Sequence, residues 1–316
     1  MVRAISCKHA LMPETAKVSN IDLRAVRLWL LAAAAMIFLT LIVGGATRLT
    51  ESGLTHRLLA RPTGVVFLLP FLFFLWRGAI PANLRARLWV IFGAGAALGA
   101  VGWWMVSSGL TQGVSVSQYR LAFHLTLASA IYAAVLWTAQ QLTTQARNDV
   151  RTRVRAGALA IVLLLLLQIY LGALVAGLGA CLIYNTWPGI DGAFVPPAKK
   201  LWFLQPAWRN LFENTLTVQF NHRMVAYTIW LLAVLHAFDA WRAQHARRSV
   251  VVLAAGVTLQ AALGVVTLLY PAQLGLALAH PVLAILVLTI TVVHAERLSH
   301  RAIIYAQHTK PAEQGP

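Results

Sequence analysis

The sequence predicts an all-α integral membrane protein, with eight transmembrane helices forming two pseudo-symmetric four-helix bundles. Three observations carry this prediction. Apolar residues make up 59% of the 316 and charged residues only 11%, a balance that no soluble core requires. The apolar residues gather in runs near the ~20 residues that a helix needs to cross a hydrocarbon layer. The charges, net +17, stand between the runs, as they do where Lys and Arg are retained on the cytoplasmic side.

Residues 1–26 are polar and mixed in charge, and the first apolar run is long enough to span, so they read as a cytoplasmic segment and not a cleaved leader. The runs then fall at 27–48, 57–76, 88–106, 119–141, 156–178, 216–238, 249–270 and 274–295. Pro62, near the start of the second, is tolerated in a first turn. The odd-numbered connections carry Arg48, Arg57, Arg61, Arg120, Lys199, Lys200, Arg209 and Arg223. The termini and even-numbered connections carry the remaining eighteen of the twenty-six Lys and Arg, which places both termini in the cytoplasm. Basic clusters at helix ends make nucleic acid an unexpected partner and lipid the expected one. Cys7 and Cys181 fall on opposite sides, so no intrachain disulfide is expected.

The two halves repeat one order of marks. Val43-Gly44-Gly45, His56-Arg57, Leu98-Gly99 and His124 in the first answer to Leu171-Gly172-Ala173, His222-Arg223, Leu263-Gly264 and His280 in the second. The repeat divides the chain into a unit at 27–142, a unit at 156–296 and a cytoplasmic tail at 297–316. The longest polar connection, 179–215, faces outward.

Four histidines fall in one layer. His56 opens the second run, His124 lies about one turn into the fourth, and His222 and His280 lie about two turns into the sixth and eighth. At ~1.5 Å per residue their depths agree within about 10 Å. One such histidine is more often a satisfied core residue; four at matched places in a repeat point to ligands. Facing histidines in a bundle hold haem iron by two axial bonds, and the repeat offers the pairs His56/His124 and His222/His280. Arg57, Arg120 and Arg223 stand where they would meet haem propionates, or serve as plain interfacial anchors. His236 and His294 each follow a proposed ligand by fourteen residues, ~21 Å along a helix. They read as interfacial residues, with a second stacked haem as the alternative.

Gly44 to Leu54 (GGATRLTESGL), Gly102 to Val106 (GWWMV), Tyr119 to His124 (YRLAFH), Tyr184 to Pro188 (YNTWP) and Asn221-His222-Arg223 occur in one order between about residues 40 and 295. Together they resemble the haem A synthase family, in its mitochondrial and proteobacterial branch. The resemblance implies oxidation of the C8 methyl of haem O to a formyl group, giving haem A for terminal oxidases. It implies haem O, the substrate, at His56 and His124 in the first unit, and a permanent haem b at His222 and His280 in the second. A bacterial cytoplasmic membrane is the implied location, ahead of the mitochondrial inner membrane. Haem O synthase and oxidase assembly factors are the implied partners, and an oligomer is compatible with it.

The chain departs from the family pattern in one place that matters. Relatives carry a long first outer loop and a glutamate three residues before the first histidine; here the loop is a few residues and Gly53 holds that position. Glu51 is the nearest acid and the candidate to replace it, or it pairs with Arg48 or Arg57. Cys181, where the family often has an acid, has no outer partner. A non-enzymatic b-type haem protein that carries electrons is therefore the second reading, and a haem-free transporter the third.

Overall fold

A computed structural model describes residues 20–50, 55–112, 117–142, 150–244, 246–271 and 273–299; for Asn20, Arg48, 55–61 and 104–112 it describes the helical backbone alone. The long helices are α1 (Asn20–Leu49), α2 (Thr55–Trp76), α3 (Ala82–Gln112), α4 (Gln118–Gln141), α5 (Thr152–Gly177), α8 (Thr215–Arg242), α9 (Arg247–Leu269) and α10 (Leu274–Arg297). Two four-residue helices, α6 (Ala198–Leu201) and α7 (Asn210–Glu213), lie in the connection between α5 and α8. Seven helices, α1, α3, α4, α5, α8, α9 and α10, are long and apolar enough to cross a membrane on their described residues; in α2 the apolar stretch, Pro62–Trp76, is shorter. Each long helix begins or ends within a few residues of an expected run. The overshoot of α1, α3 and α5 at their N-termini takes in Arg24, Arg85 and Arg153, because arginine propagates a helix well beyond the apolar segment. No strand occurs among the described residues.

The helices pack with the same pattern in each half. α1 lies against α2 and α4, and α3 against α2 and α4; α5 lies against α8 and α10, and α9 against α8 and α10. Between the halves, α4 packs on α5, α1 on α10, and α4 on α10. A half-turn that exchanges the halves converts the first two contacts into each other and leaves the third unchanged. The shared core includes Leu30, Val135, Leu288 and Val292, and Tyr132 on α4 donates to Thr289 Oγ1 on α10 at 2.7 Å. Leu163, Val90 and Leu259 are exposed on the outer surface of the bundle, where lipid is their solvent.

Proline inside α2 illustrates how the membrane setting is met. Pro70 has no N–H, so the carbonyl of Val66 loses its helical donor. Trp29 Nε1 on α1 donates to that carbonyl at 3.0 Å, and its ring packs on Phe67, Phe71 and Phe74. An unsatisfied carbonyl in lipid would cost several kcal/mol, on the order of 2–4.

The α5–α8 connection is ordered by buried amides. Asn210 Nδ2 donates to Leu204 O and Ala207 O, while its Oδ1 accepts from Leu204 N. Asn214 Oδ1 caps α8 by accepting from Leu216 N at 3.1 Å, and its Nδ2 donates to Lys200 O and Leu201 O. These bonds hold a long polar segment against the end of the bundle that carries the four histidines.

Candidate functional site

His222 on α8 and His280 on α10 are held in the same way by different helices. On α5, Gln168 Nε2 donates to the main-chain oxygen of His222 at 3.1 Å and lies 3.1 and 3.3 Å from the two ring nitrogens. On α9, Gln260 Nε2 donates to the main-chain oxygen of His280 at 3.1 Å and lies 3.3 and 3.4 Å from its ring nitrogens. One turn further along each helix is a glycine. A Cβ on Gly172 would meet His222 Cε1 at 3.2 Å, and a Cβ on Gly264 would meet His280 Cε1 at 3.0 Å. Both imidazoles therefore rest on bare backbone. No hydrogen bond joins the two rings among the described residues.

The first unit repeats half of this device. A Cβ on Gly102 of α3 would meet His124 Cε1 on α4 at 3.1 Å. Leu98 stands where the second unit has glutamine, one turn before the glycine. The repeat in the sequence is thus shifted by one turn from its expected register: Gly102 faces the histidine, while a Cβ on Gly99 would meet open space. His56 opens α2 as expected, but its side chain and that of Arg57 are outside the described residues, as is Glu51.

Arg223 is buried, and its guanidinium addresses the α5–α8 connection. Nη1 donates to Thr186 O at 2.8 Å and Gly189 O at 3.3 Å; Nη2 donates to Tyr184 O at 3.0 Å and Gln219 Oε1 at 2.9 Å. A propionate at this arginine would share it with the loop. Arg120 is half-buried in the first turn of α4. Beside it, Tyr119 donates to Glu213 Oε1 at 2.8 Å, and Arg209 Nε donates to Glu213 Oε2 at 2.8 Å. The bonds from Arg209 and Tyr119 hold the Glu213 carboxyl below the usual carboxylate range. Burial pushes the Cys181 thiol up.

His236 and His294 form a second histidine pair at the far end of α8 and α10. Both are buried within the bundle, and their Nε2 atoms bond directly at 2.8 Å. That contact leaves no gap for an iron between them. Asp239, three residues after His236 on α8, pairs with Arg153 at 3.1 Å.

The donor set at His222 and His280 suits a bis-imidazole haem. Two imidazoles stand on two helices of a bundle, each seated against a glycine, and the Oε1 atoms of Gln168 and Gln260 are buried with no partner among the described residues. The repeated Gln-x-x-x-Gly at 168–172 and 260–264 went unread in the sequence, although its spacing places both residues on one helix face.

Comparison with known proteins agrees with this arrangement. Residues 55–292 match the family COX15-CtaA, described as cytochrome oxidase assembly protein. A protein of Rhodopseudomonas palustris strain BisA53 named "Heme A synthase" is 49% identical over 335 aligned positions, covering 89% of this chain and 92% of the relative. Proteins of the same name from R. palustris strain BisB18 and Bradyrhizobium diazoefficiens are 48% and 47% identical, covering 93% and 88% of this chain and 96% and 92% of the relatives. In the first, 335 positions take in only 89% of a 316-residue chain, so the relative has several tens of residues that this chain lacks. A match across three quarters of the chain, centred on the paired histidine helices, places it in the COX15-CtaA family of cytochrome oxidase assembly proteins.

Proposed function

We propose that the chain is a haem A synthase, an oxidoreductase that converts the C8 methyl of haem O to a formyl group. The observation that carries this reading is the matched clamping of His222 and His280 by Gln168/Gly172 and Gln260/Gly264, in a chain 49% identical to a protein of that name. His222 and His280 are the ligands of a resident haem b, and His56 and His124 those of the substrate haem O. Arg57 and Arg120 serve the propionates, and Arg223 shares that role with its hold on the loop. Glu51 takes the place of the absent loop glutamate.

Methyl to formyl is a four-electron oxidation, so electrons must leave the substrate; the haem b supplies a one-electron relay for them when bound. The chain's own contribution is positional. Gln168 and Gln260 fix the backbone and ring of each ligand, the glycines let the imidazoles approach α5 and α9, and the Arg223 contacts hold residues 184–189 over the outer end. We assign eight spans, with α2 as the eighth, the units to 27–142 and 156–296, and both termini to the cytoplasmic side of a bacterial inner membrane. Haem O synthase and oxidase assembly factors are the partners for poorly soluble substrate and product.

The test is chromatographic identification of the haems extracted from the purified protein after co-expression with a source of haem O. Haem B together with haem A, or with partly oxidised haem O, is the expected result. Haem B alone would favour the second reading, a non-enzymatic electron carrier, which Gly53 and the residues lacking relative to the matched proteins support.

A further inference from the structure

Two concave surfaces lie along one seam, between α9 and α10, in the half of the membrane away from the four histidines. The first, of about 350 Å³, is at the helix ends and includes Arg247, Arg248, Arg297, Ser249 and Gln244. Among the described residues no carboxylate lines it. The second, of about 450 Å³, is a groove that faces lipid, with Val252, Gly256, Leu259, Leu286 and Ile290 among its walls. Its one hydroxyl, on Thr289, is committed to Ile285 O and to Tyr132, so the groove presents an apolar surface.

We infer that this seam is a binding site for an anionic phospholipid, with the phosphate in the arginine pocket and an acyl chain in the groove. Depth supports it. Val252 is one turn beyond Ser249, about 5 Å along the helix, which is the thickness of a headgroup layer. From Val252 to Leu259 the groove runs a further ~10 Å into the hydrocarbon. Trp241, half exposed with Arg247 over its ring at 5.1 Å, marks the headgroup level, where amphipathic aromatics gather. Gly256 lines the groove against α10: a Cβ there would lie 3.5 Å from Val287 Cγ2 and 3.6 Å from Ile290 Cδ1, ordinary contact distances, so a longer side chain at this position would extend into the groove.

Charge selects the occupant. Three guanidiniums without an acid among them suit a headgroup with phosphate charge, and a two-phosphate headgroup best of all. The chain's own ends are poor competitors, since residues 1–19 carry Arg3, Lys8 and Lys17 against Glu14, and residues 300–316 carry Arg301 and Lys310 against Glu313. Ser249 also joins this pocket to the interior, because its Oγ bonds both Ala246 O and His294 Nδ1.

The experiment is native mass spectrometry of the full-length, delipidated protein titrated with cardiolipin, phosphatidylglycerol or phosphatidylcholine, with haem content as the check on folding. Cardiolipin is expected to bind most tightly and phosphatidylcholine least. Arg297→Gln should weaken cardiolipin about fivefold, and Arg247→Gln, Arg248→Gln and Arg297→Gln together on the order of a hundredfold. Gly256→Leu should weaken binding with the arginines intact, since it fills the acyl groove. Equal binding of phosphatidylcholine, unchanged cardiolipin affinity in the triple variant, or displacement of cardiolipin by millimolar inorganic phosphate would each overturn the assignment.

Discussion

His236 on α8 and His294 on α10 share a hydrogen bond of 2.8 Å between their Nε2 atoms, and its direction follows from a third residue. Ser249 Oγ donates to Ala246 O at 2.9 Å, so toward His294 Nδ1, 2.8 Å away, it accepts. His294 then carries its proton on Nδ1 and accepts at Nε2, and His236 donates. The two residues have unequal duties. His236→Gln, which keeps a donor, should cost little, whereas His294→Gln cannot both donate to Ser249 and accept from His236 without rearrangement. The expected loss for the His294 variant is about 1–2 kcal/mol, read as a lower denaturation midpoint in detergent. Equal losses for the two variants would contradict the assigned direction.

The glycines beside the histidines give a sharper contrast. Gly264→Ala would put a methyl 3.0 Å from His280 Cε1, and Gly172→Ala one 3.2 Å from His222 Cε1, so each ring must move. Gly275→Ala, with nothing within 4 Å, is the control. Purified Gly264→Ala and Gly172→Ala proteins should retain less haem B per chain than the control, with shifted Soret maxima; identical haem content in all three would remove the glycines from the site.

Gln168→Leu and Gln260→Leu convert the second unit to the pattern of the first, where Leu98 stands one turn before Gly102. Each deletes the donor to a histidine main-chain oxygen and the polar contact with its ring. A redox titration should show the haem potential displaced by either change, since outer contacts tune a ligand's basicity. An unmoved potential would mean that the amides serve packing alone.

Trp29 and Pro70 should be coupled. Trp29→Phe leaves Val66 O without its 3.0 Å donor and should destabilise the protein by about 1–3 kcal/mol. Pro70→Ala restores a main-chain N–H at the residue that would donate to Val66 O, so Trp29→Phe should cost less in that background. A double-mutant cycle on thermal stability measures the difference, and strict additivity would count against the carbonyl's dependence on Trp29.

The Glu213 bridge between the outer connection and Tyr119 predicts a pH effect. Because Arg209 and Tyr119 hold the folded carboxyl below its ordinary value, the contribution of the bridge is complete above the ordinary glutamate value and is lost as pH falls through the folded one. Thermal stability of the wild type should therefore fall on acidification more than that of Glu213→Gln. Parallel pH profiles would sink this account.

Most of the helical frame could be read from apolar run length, since crossing lipid imposes a single length scale and leaves the backbone only one way to satisfy itself. The layer of four histidines was inferred on the same ground, because helical rise converts spacing to depth. What supports them was not. Gln168 and Gln260 look like stray polar residues in apolar helices until α5 is known to face α8 and α9 to face α10. Likewise the choice of Gly102 over Gly99 depends on the rotation of α3, which run length does not set. Arg223 shows a different limit: its place next to His222 suggested a ligand's carboxylate, but three of its four acceptors come from residues more than thirty positions earlier.

Three of the four acceptors that Arg223 uses are main-chain oxygens, at Tyr184, Thr186 and Gly189. Such a clamp reads the path of the loop and is blind to its side chains. Apart from Thr186, whose Oγ1 bonds Gly189 O and Asp191 N, and Gly189, which packs against Ala193, residues 184–189 can change what they present while the clamp from the neighbouring helix still holds their path. Identity at 184–189 and at 223 would report on separate things: the first on what meets the outer face, the second on whether that face is covered at all.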